Sequence, residues 1–393
     1  MTSDIDQTTH PILEAARALA PQIREAAPAT EQGRRLTPAI VQAMKDAGIF
    51  GMTMPRAWGG PEVDPLMQIR VIEALAEADG SVGWCAMINS DGGYYSAFLE
   101  DAVGRAMYKD RQAPTGSSLI FIGRADKVDG GYRIKGRWPF VSGCQHSDWI
   151  GGTCTVYEND APKMIEEGMP ERRVCFLPAA QCEVLDTWNT TGLRGSGSHD
   201  VAINDVFVPA ERSAPFPFRS LREGPLYAWP MMFVYNLPGV TLGIARSAIN
   251  TFADLAARKP TTVSMATGRP VMLRDEAYAQ TAIAHAEALV GSARSYVFDR
   301  IGDIWRTLVA GEQISITQRA LYRIAMTHAH SACLEAVHGL YKAIGGSAVY
   351  ASGPFDRALR DLITINQHTV NSLKSQETTG KILLGIDVRD PLI

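Results

Sequence analysis

Apolar residues recur at helical spacing from residue 11 to about 110, give way to alternation between about 115 and 213, and return to helical spacing from about 225 onward. The cleanest early element is TPAIVQAMKDAGIFG, in which Thr37 suits an N-cap, Pro38 the first helical position and Gly48 the residue just past the end. Further helical segments follow, with breaks predicted at Asp79-Gly80 and Gly92-Gly93. KVDGGYRIKGRWPFVSG and HDVAINDVFVPAER carry the β-branched residues and glycine turns of strands. The long periodic runs VTLGIARSAINTFADLAARK, EAYAQTAIAHAEALVGSARSYVFDRIGDIWRTLVA and ISITQRALYRIAMTHAHSACLEAVHGLYKAI predict a helical bundle. The expected organisation is therefore α+β, with a helical domain over 1–112, a β domain over 113–215 and a helical bundle over 216–393.

Composition narrows the partners. With 46% hydrophobic and 20% charged residues and a net charge of −4, the chain has no basic block suited to a phosphate backbone, so neither nucleic acid nor an anionic membrane is expected. No apolar run approaches the ~18 residues of a membrane span, and the N-terminus lacks a continuous apolar core, which points to the cytoplasm. The six cysteines form no CxxC pair, so neither a zinc ribbon nor a thioredoxin-like motif is expected.

Candidate chemistry concentrates in GRWPFVSGCQHSDWIGGTC, residues 136–154. Strict alternation would place Trp138, Phe140 and Ser142 on one face, ending in a hydroxyl beside Gly143, where backbone can approach a ligand. That face is either a flat aromatic wall with one hydrogen-bonding group or a core strand ending in a turn. Cys144 and His146, two residues apart in a turn, are poorly spaced for a thiolate–imidazole dyad, and no common metal-site spacing includes them.

Other strings lose force on inspection. Ser198-His199-Asp200 stand in a row and cannot face one another as a relay, and GSGS lacks the third glycine of a dinucleotide fingerprint. The bundle holds one ExxH pair, Glu335/His338, where a di-iron site needs two. Trp229, Met231, Met232, Phe233 and Tyr235 in YAWPMMFVYNLPG suit either a buried helix start or the wall of an aromatic-substrate site.

In the order GRWPFVSGCQHSDW, WNTTGLRGSGSHDVAINDVFVP, LGIARSAI and AIGGSAVY followed by DRALRD, the chain resembles the acyl-CoA dehydrogenase superfamily over nearly its whole length. The resemblance implies an α-helical domain, a central β-barrel-like domain and a C-terminal four-helix bundle, assembled as a homotetramer or dimer with bound flavin. By the same resemblance Trp138, Phe140 and Ser142 contact the flavin ring, with Ser142 near its N5. Gly345, Gly346 and Ser347, with Arg269, attend its phosphate or adenylate end.

The departures are as informative. Dehydrogenases of the family carry a glutamate base eight residues past the aspartate of an Arg-Asp pair; counted from Asp361 that position is Thr369, and no carboxylate lies between Asp361 and Glu377. The alternative family position, on VTLGIARSAINTF, also lacks an acid. With His368 one residue earlier, the chain is similar instead to the oxygenase branch of the fold, the two-component flavin monooxygenases such as 4-hydroxyphenylacetate hydroxylase and dibenzothiophene monooxygenase.

This implies an enzyme that takes reduced flavin, FADH2 or FMNH2, from a separate NAD(P)H-dependent reductase, and uses O2 through a C4a-hydroperoxyflavin to hydroxylate a phenol- or indole-type substrate. Ser142 and His368 are the implied catalytic residues, with Trp229, Phe233, Tyr235 and His368 around the substrate and no metal. The alternatives are a dehydrogenase with a relocated base, or an N- or S-oxygenase.

Overall fold

The computed structural model describes residues 10–266, 268–351 and 353–388; the first nine residues, read above for targeting features, lie outside them. The fold has helical N- and C-terminal parts and a central mixed sheet, and divides into two compact units. Of the described residues, the first unit takes those up to 71, 84–190 and 194–236, and the second 72–83, 191–193 and those from 237 on.

In the first unit the local signals act as read. Thr37 Oγ1 accepts the Ile40 N–H at 3.4 Å, Pro38 opens the helix Pro38–Asp46, and Gly48 follows in the left-handed region at φ 78°. At Gly92-Gly93 the chain does break from the helix Gly80–Asn89, but a short helix, Gly92–Ser96, begins there. Gly93 is required: a Cβ on it would lie 1.9 Å from the Thr53 carbonyl oxygen.

The sheet has eight strands. Seven run in the order Ser213–Phe216, Arg172–Pro178, Trp149–Glu158, Thr115–Val128, Gly131–Trp138, Asp200–Pro209, Glu183–Leu185, and Ala161–Pro162 pairs with Trp149–Glu158 at the side. All pairings are antiparallel except Thr115–Val128 with Trp149–Glu158. One face buries a core of Ile134, Trp138, Val141, Ile150, Val156 and Leu177 among others.

The second unit is built on Pro238–Arg258, Ala277–Val309 and Ile316–Ile344, followed by the shorter Pro354–Ile365 and Leu373–Leu383. At 33 residues, Ala277–Val309 spans roughly 50 Å. Ser315 and Gln318 form a reciprocal capping box at the start of Ile316–Ile344. Among the described residues no helix is long and apolar enough to cross a membrane.

Candidate active site

The strand Gly131–Trp138 ends where the opening motif begins, and the alternation inferred for it stops there too. Trp138 is only 1% exposed; it lies in the sheet core and donates its indole N–H to the Thr153 carbonyl at 2.8 Å. Phe140 sits at φ 61°, in the left-handed region, and is 60% exposed, its ring perpendicular to that of Trp188 with centroids 6.2 Å apart. A positive φ at a non-glycine residue redirects the next side chains, so the two rings do not share one wall. Only Phe140 faces outward.

Ser142 is buried, and its hydroxyl lies in a polar chain. The Trp84 indole N–H donates to its Oγ at 2.9 Å, and the Ser198 hydroxyl lies 2.7 Å away, itself 2.7 Å from the Ser196 hydroxyl. A hydroxyl has one donor and two acceptor positions; among the described residues two are used here and one stays open. Asn89 fixes the backbone behind it, donating from Nδ2 to the Ser142 and Thr115 carbonyls at 3.2 and 3.3 Å.

The close backbone approach expected at Gly143 is made to Asn89 rather than to a ligand: a Cβ there would meet Asn89 Oδ1 at 2.2 Å. Because Asn89 Nδ2 is the donor to both carbonyls, its Oδ1 accepts from His146 Nε2 at 3.0 Å. Burial pushes the His146 ring down to about 4 and the Cys144 thiol up to about 12, and Cys144 points its sulfur at the Gly197 carbonyl. The two do not pair.

Ser198, His199 and Asp200 likewise part company. Ser198 joins the hydroxyl chain, His199 Nδ1 accepts the Thr187 and Trp188 N–H groups at 3.1 Å each, and Asp200 pairs with Arg137 at 2.7 Å. Trp229, Phe233 and Tyr235 are buried among aromatics: Trp229 meets Tyr235 edge-on at 4.1 Å, and Phe233 lies 6.0 Å from both Tyr95 and Phe218. Met232–Val234 is a single 3-10 turn ahead of the helix Pro238–Arg258.

In the second unit His368 caps the turn Thr369–Asn371, its Nδ1 accepting the Val370 N–H at 3.4 Å. Burial, and then the nearby Arg323 charge, bring it down to about 4. The ring is therefore neutral at pH 7, and with Nδ1 accepting, its proton sits on Nε2. Gly345, at φ 74°, ends Ile316–Ile344 and opens the 3-10 helix Gly345–Val349.

The cation at that turn is Lys259, which sequence reasoning missed: its Nζ donates to the Ser347 hydroxyl at 2.6 Å and to the Ile344 carbonyl. Its position between a helix end and Pro260 was the available signal. Arg269 is exposed, on the hairpin formed by Pro260–Val263 and Pro270–Met272. Glu335 bonds His285 rather than His338, and among the described residues no cluster of three or more histidine, cysteine or acidic side chains is placed to hold a metal.

Residues 9–101 match the family described as acyl-CoA dehydrogenase, N-terminal domain, and residues 237–373 match acyl-CoA dehydrogenase, C-terminal domain. The chain is 28% identical to the indole-3-acetate monooxygenase of Acinetobacter baumannii over 381 residues, covering 94% of this chain and 93% of that one. It is also 28% identical to HsaA of Mycobacterium tuberculosis, the oxygenase subunit of a flavin-dependent monooxygenase, with 94% of each covered. The crystal structure of 3-HSA hydroxylase from Rhodococcus sp. RHA1 superposes with a TM-score of 0.88 at 25% identity, over 98% of this chain and 100% of that one.

Proposed function

The chain belongs to the acyl-CoA dehydrogenase family, and from that premise we propose that it is the oxygenase component of a two-component flavin-dependent monooxygenase acting on a phenol- or indole-type substrate. The observation that carries the reading is the Ser142 hydroxyl, buried, doubly anchored and, among the described residues, left with one open position, two residues on from the exposed ring of Phe140. This fits a flavin, whose ring presents polar edge atoms and an apolar face. The sequence also lacks a carboxylate between Asp361 and Glu377, and Glu377 itself is exposed and paired with Lys381. A dehydrogenase would need a base there.

Bound reduced flavin supplies two electrons to O2, so that one oxygen atom enters the aromatic substrate and the other leaves as water. Ser142 holds the flavin's N5 position through its open hydrogen-bonding site, and Phe140 covers the ring and keeps water off it. His368, neutral with Nε2–H as its donor, orients an oxygen of the substrate. Lys259, with Ser347 and the Gly345-Gly346 backbone, meets the cofactor's phosphate. The reduced flavin comes from a separate NAD(P)H-dependent reductase. Ile363, Val349 and Tyr350 are exposed apolar side chains that suit a homotetramer or dimer.

The test is a stoichiometry. Protein mixed anaerobically with FADH2 or FMNH2 and a panel of phenols and indoles, then exposed to O2, should yield hydroxylated product with little H2O2. Ser142→Ala should raise the H2O2 share about tenfold, the effect of one hydrogen bond of ~1.4 kcal/mol. Oxidised flavin held tightly and bleached by an acyl-CoA would overturn the reading, as would complete conversion of both flavins to H2O2 with every substrate.

A further inference from the structure

His330, in the middle of the helix Ile316–Ile344, is 1% exposed, yet among the described residues its Nε2 has no hydrogen-bond partner. Its Nδ1 is 2.5 Å from the Thr241 hydroxyl on Pro238–Arg258. Among the described residues that ring nitrogen is the hydroxyl's only partner, so satisfying the buried hydroxyl proton requires Thr241 to donate to Nδ1. Burial keeps the imidazole neutral, pushing it down to about 3, and its one proton then sits on Nε2. The result is a buried N–H donor without an acceptor, which native structures avoid unless something else occupies the position.

The surroundings indicate what that is. His368 lies within electrostatic reach of His330, and it too carries its proton on Nε2. The buried guanidinium of Arg323, bonded to Ser375 Oγ at 3.2 Å, holds a full positive charge close enough to depress His368. The His330 ring, neutral and with Nε2–H as its donor, near a second neutral imidazole and a buried guanidinium, favours negative charge on oxygen over a further proton.

We propose that His330, oriented by Thr241, is a second substrate-binding imidazole that donates from Nε2 to an ionised oxygen of the aromatic substrate, a phenolate or a carboxylate. The inference rests on the oxygenase reading and deepens it by naming the polar handle. Thr241 is a positioning residue, because it fixes which ring nitrogen holds the proton.

The test is binding to the full-length protein, without turnover, of three probes: 4-nitrophenol, 4-nitrobenzoate and 4-nitroanisole, the last having no ionisable oxygen. The wild type should bind at least one of the two acidic probes about tenfold more tightly than the ether, and which one identifies the oxygen as phenolate or carboxylate. If it is 4-nitrophenol, its absorbance should show the bound phenol ionising at lower pH than in water. His330→Phe should abolish the advantage of the acidic probe over 4-nitroanisole, His330→Gln should restore part of it, and Thr241→Val should weaken it with the fold intact.

Equal binding of all three probes by the wild type, no binding of any, or an advantage that survives both His330→Phe and His330→Gln would overturn the proposal. The two readings separate cleanly. Hydroxylation that ignores His330 sinks this inference alone, whereas His330-dependent anion binding in a protein that turns all reduced flavin into H2O2 sinks the oxygenase reading alone.

Discussion

Asp361 accepts the backbone N–H of Leu193 at 2.6 Å, joining positions 168 residues apart through a carboxyl that is itself buried. Burial, and next the charge of Asp79, raise its pKa to about 7, against the pull of the Leu193 N–H and of Arg357 and Arg360. The folded state therefore keeps a proton that the unfolded chain releases near pH 4. This contribution to stability is complete below about pH 4 and is lost as pH rises through 7. Asp361→Asn, whose Oδ1 can still accept the Leu193 N–H, should be more stable than wild type at pH 8, by at most about 4 kcal/mol, and no more stable at pH 4. Urea unfolding at the two pH values checks this.

Three imidazoles act in the opposite direction. His146, His330 and His368 are pushed down to about 4, 3 and 4 by burial, so protonation below the ordinary histidine range favours the unfolded chain. Their contribution is complete above about pH 6.5 and lost as pH falls toward 4. Asp361 and Asp91, both raised by burial, pull the other way, and the imidazole share of the balance is a decline in stability from pH 7 to pH 5. His146→Gln, which can still donate to Asn89 Oδ1, should reduce that decline; an unchanged difference between the unfolding midpoints at the two pH values would contradict it.

Trp138 and Phe140 should separate stability from ligand binding. Trp138→Phe removes a buried donor from the Thr153 carbonyl and leaves space in the sheet core, at a cost of about 2 kcal/mol. Its affinity for reduced flavin should match wild type. Phe140→Ala, at an exposed ring, should weaken flavin binding and barely move the melting temperature. Fluorescence titration alongside thermal unfolding distinguishes the two profiles.

Trp84 and Ser198 hold the Ser142 hydroxyl from two sides. Trp84→Phe or Ser198→Ala should raise H2O2 release several-fold at saturating flavin, each by less than Ser142→Ala, and Ser198→Thr should recover most of the coupling. A purely structural role would lower the amount of active protein without changing the ratio of peroxide to product.

Much of the architecture was readable because local rules decide it. Thr37, Pro38 and Gly48 delimit their helix through cap and backbone chemistry that depends on no distant partner. The switch from helical spacing to alternation and back likewise located the sheet and the long helices. The site was read less faithfully, since one backbone angle overrode the pattern. Alternation does carry Trp138 to the core with Tyr132 and Ile134, but it assumes extended φ throughout, and Phe140 at φ 61° turns its own ring outward. Trp84, Ser198 and Thr241 gave no signal of their roles, for their importance lies in what they touch 58, 56 and 89 positions away.

The two compact units are interleaved along the chain, which passes from one to the other after residues 71, 83, 190, 193 and 236. No single cut yields either of them whole. A fragment ending at 236 would carry two stretches belonging to the second unit, residues 72–83 and 191–193, and its complement would lack them, including the Leu193 amide that Asp361 accepts. Neither piece has the contents of a free-standing domain. An exchange of one half for that of a distant relative would have to carry these inserts with it to keep each unit complete.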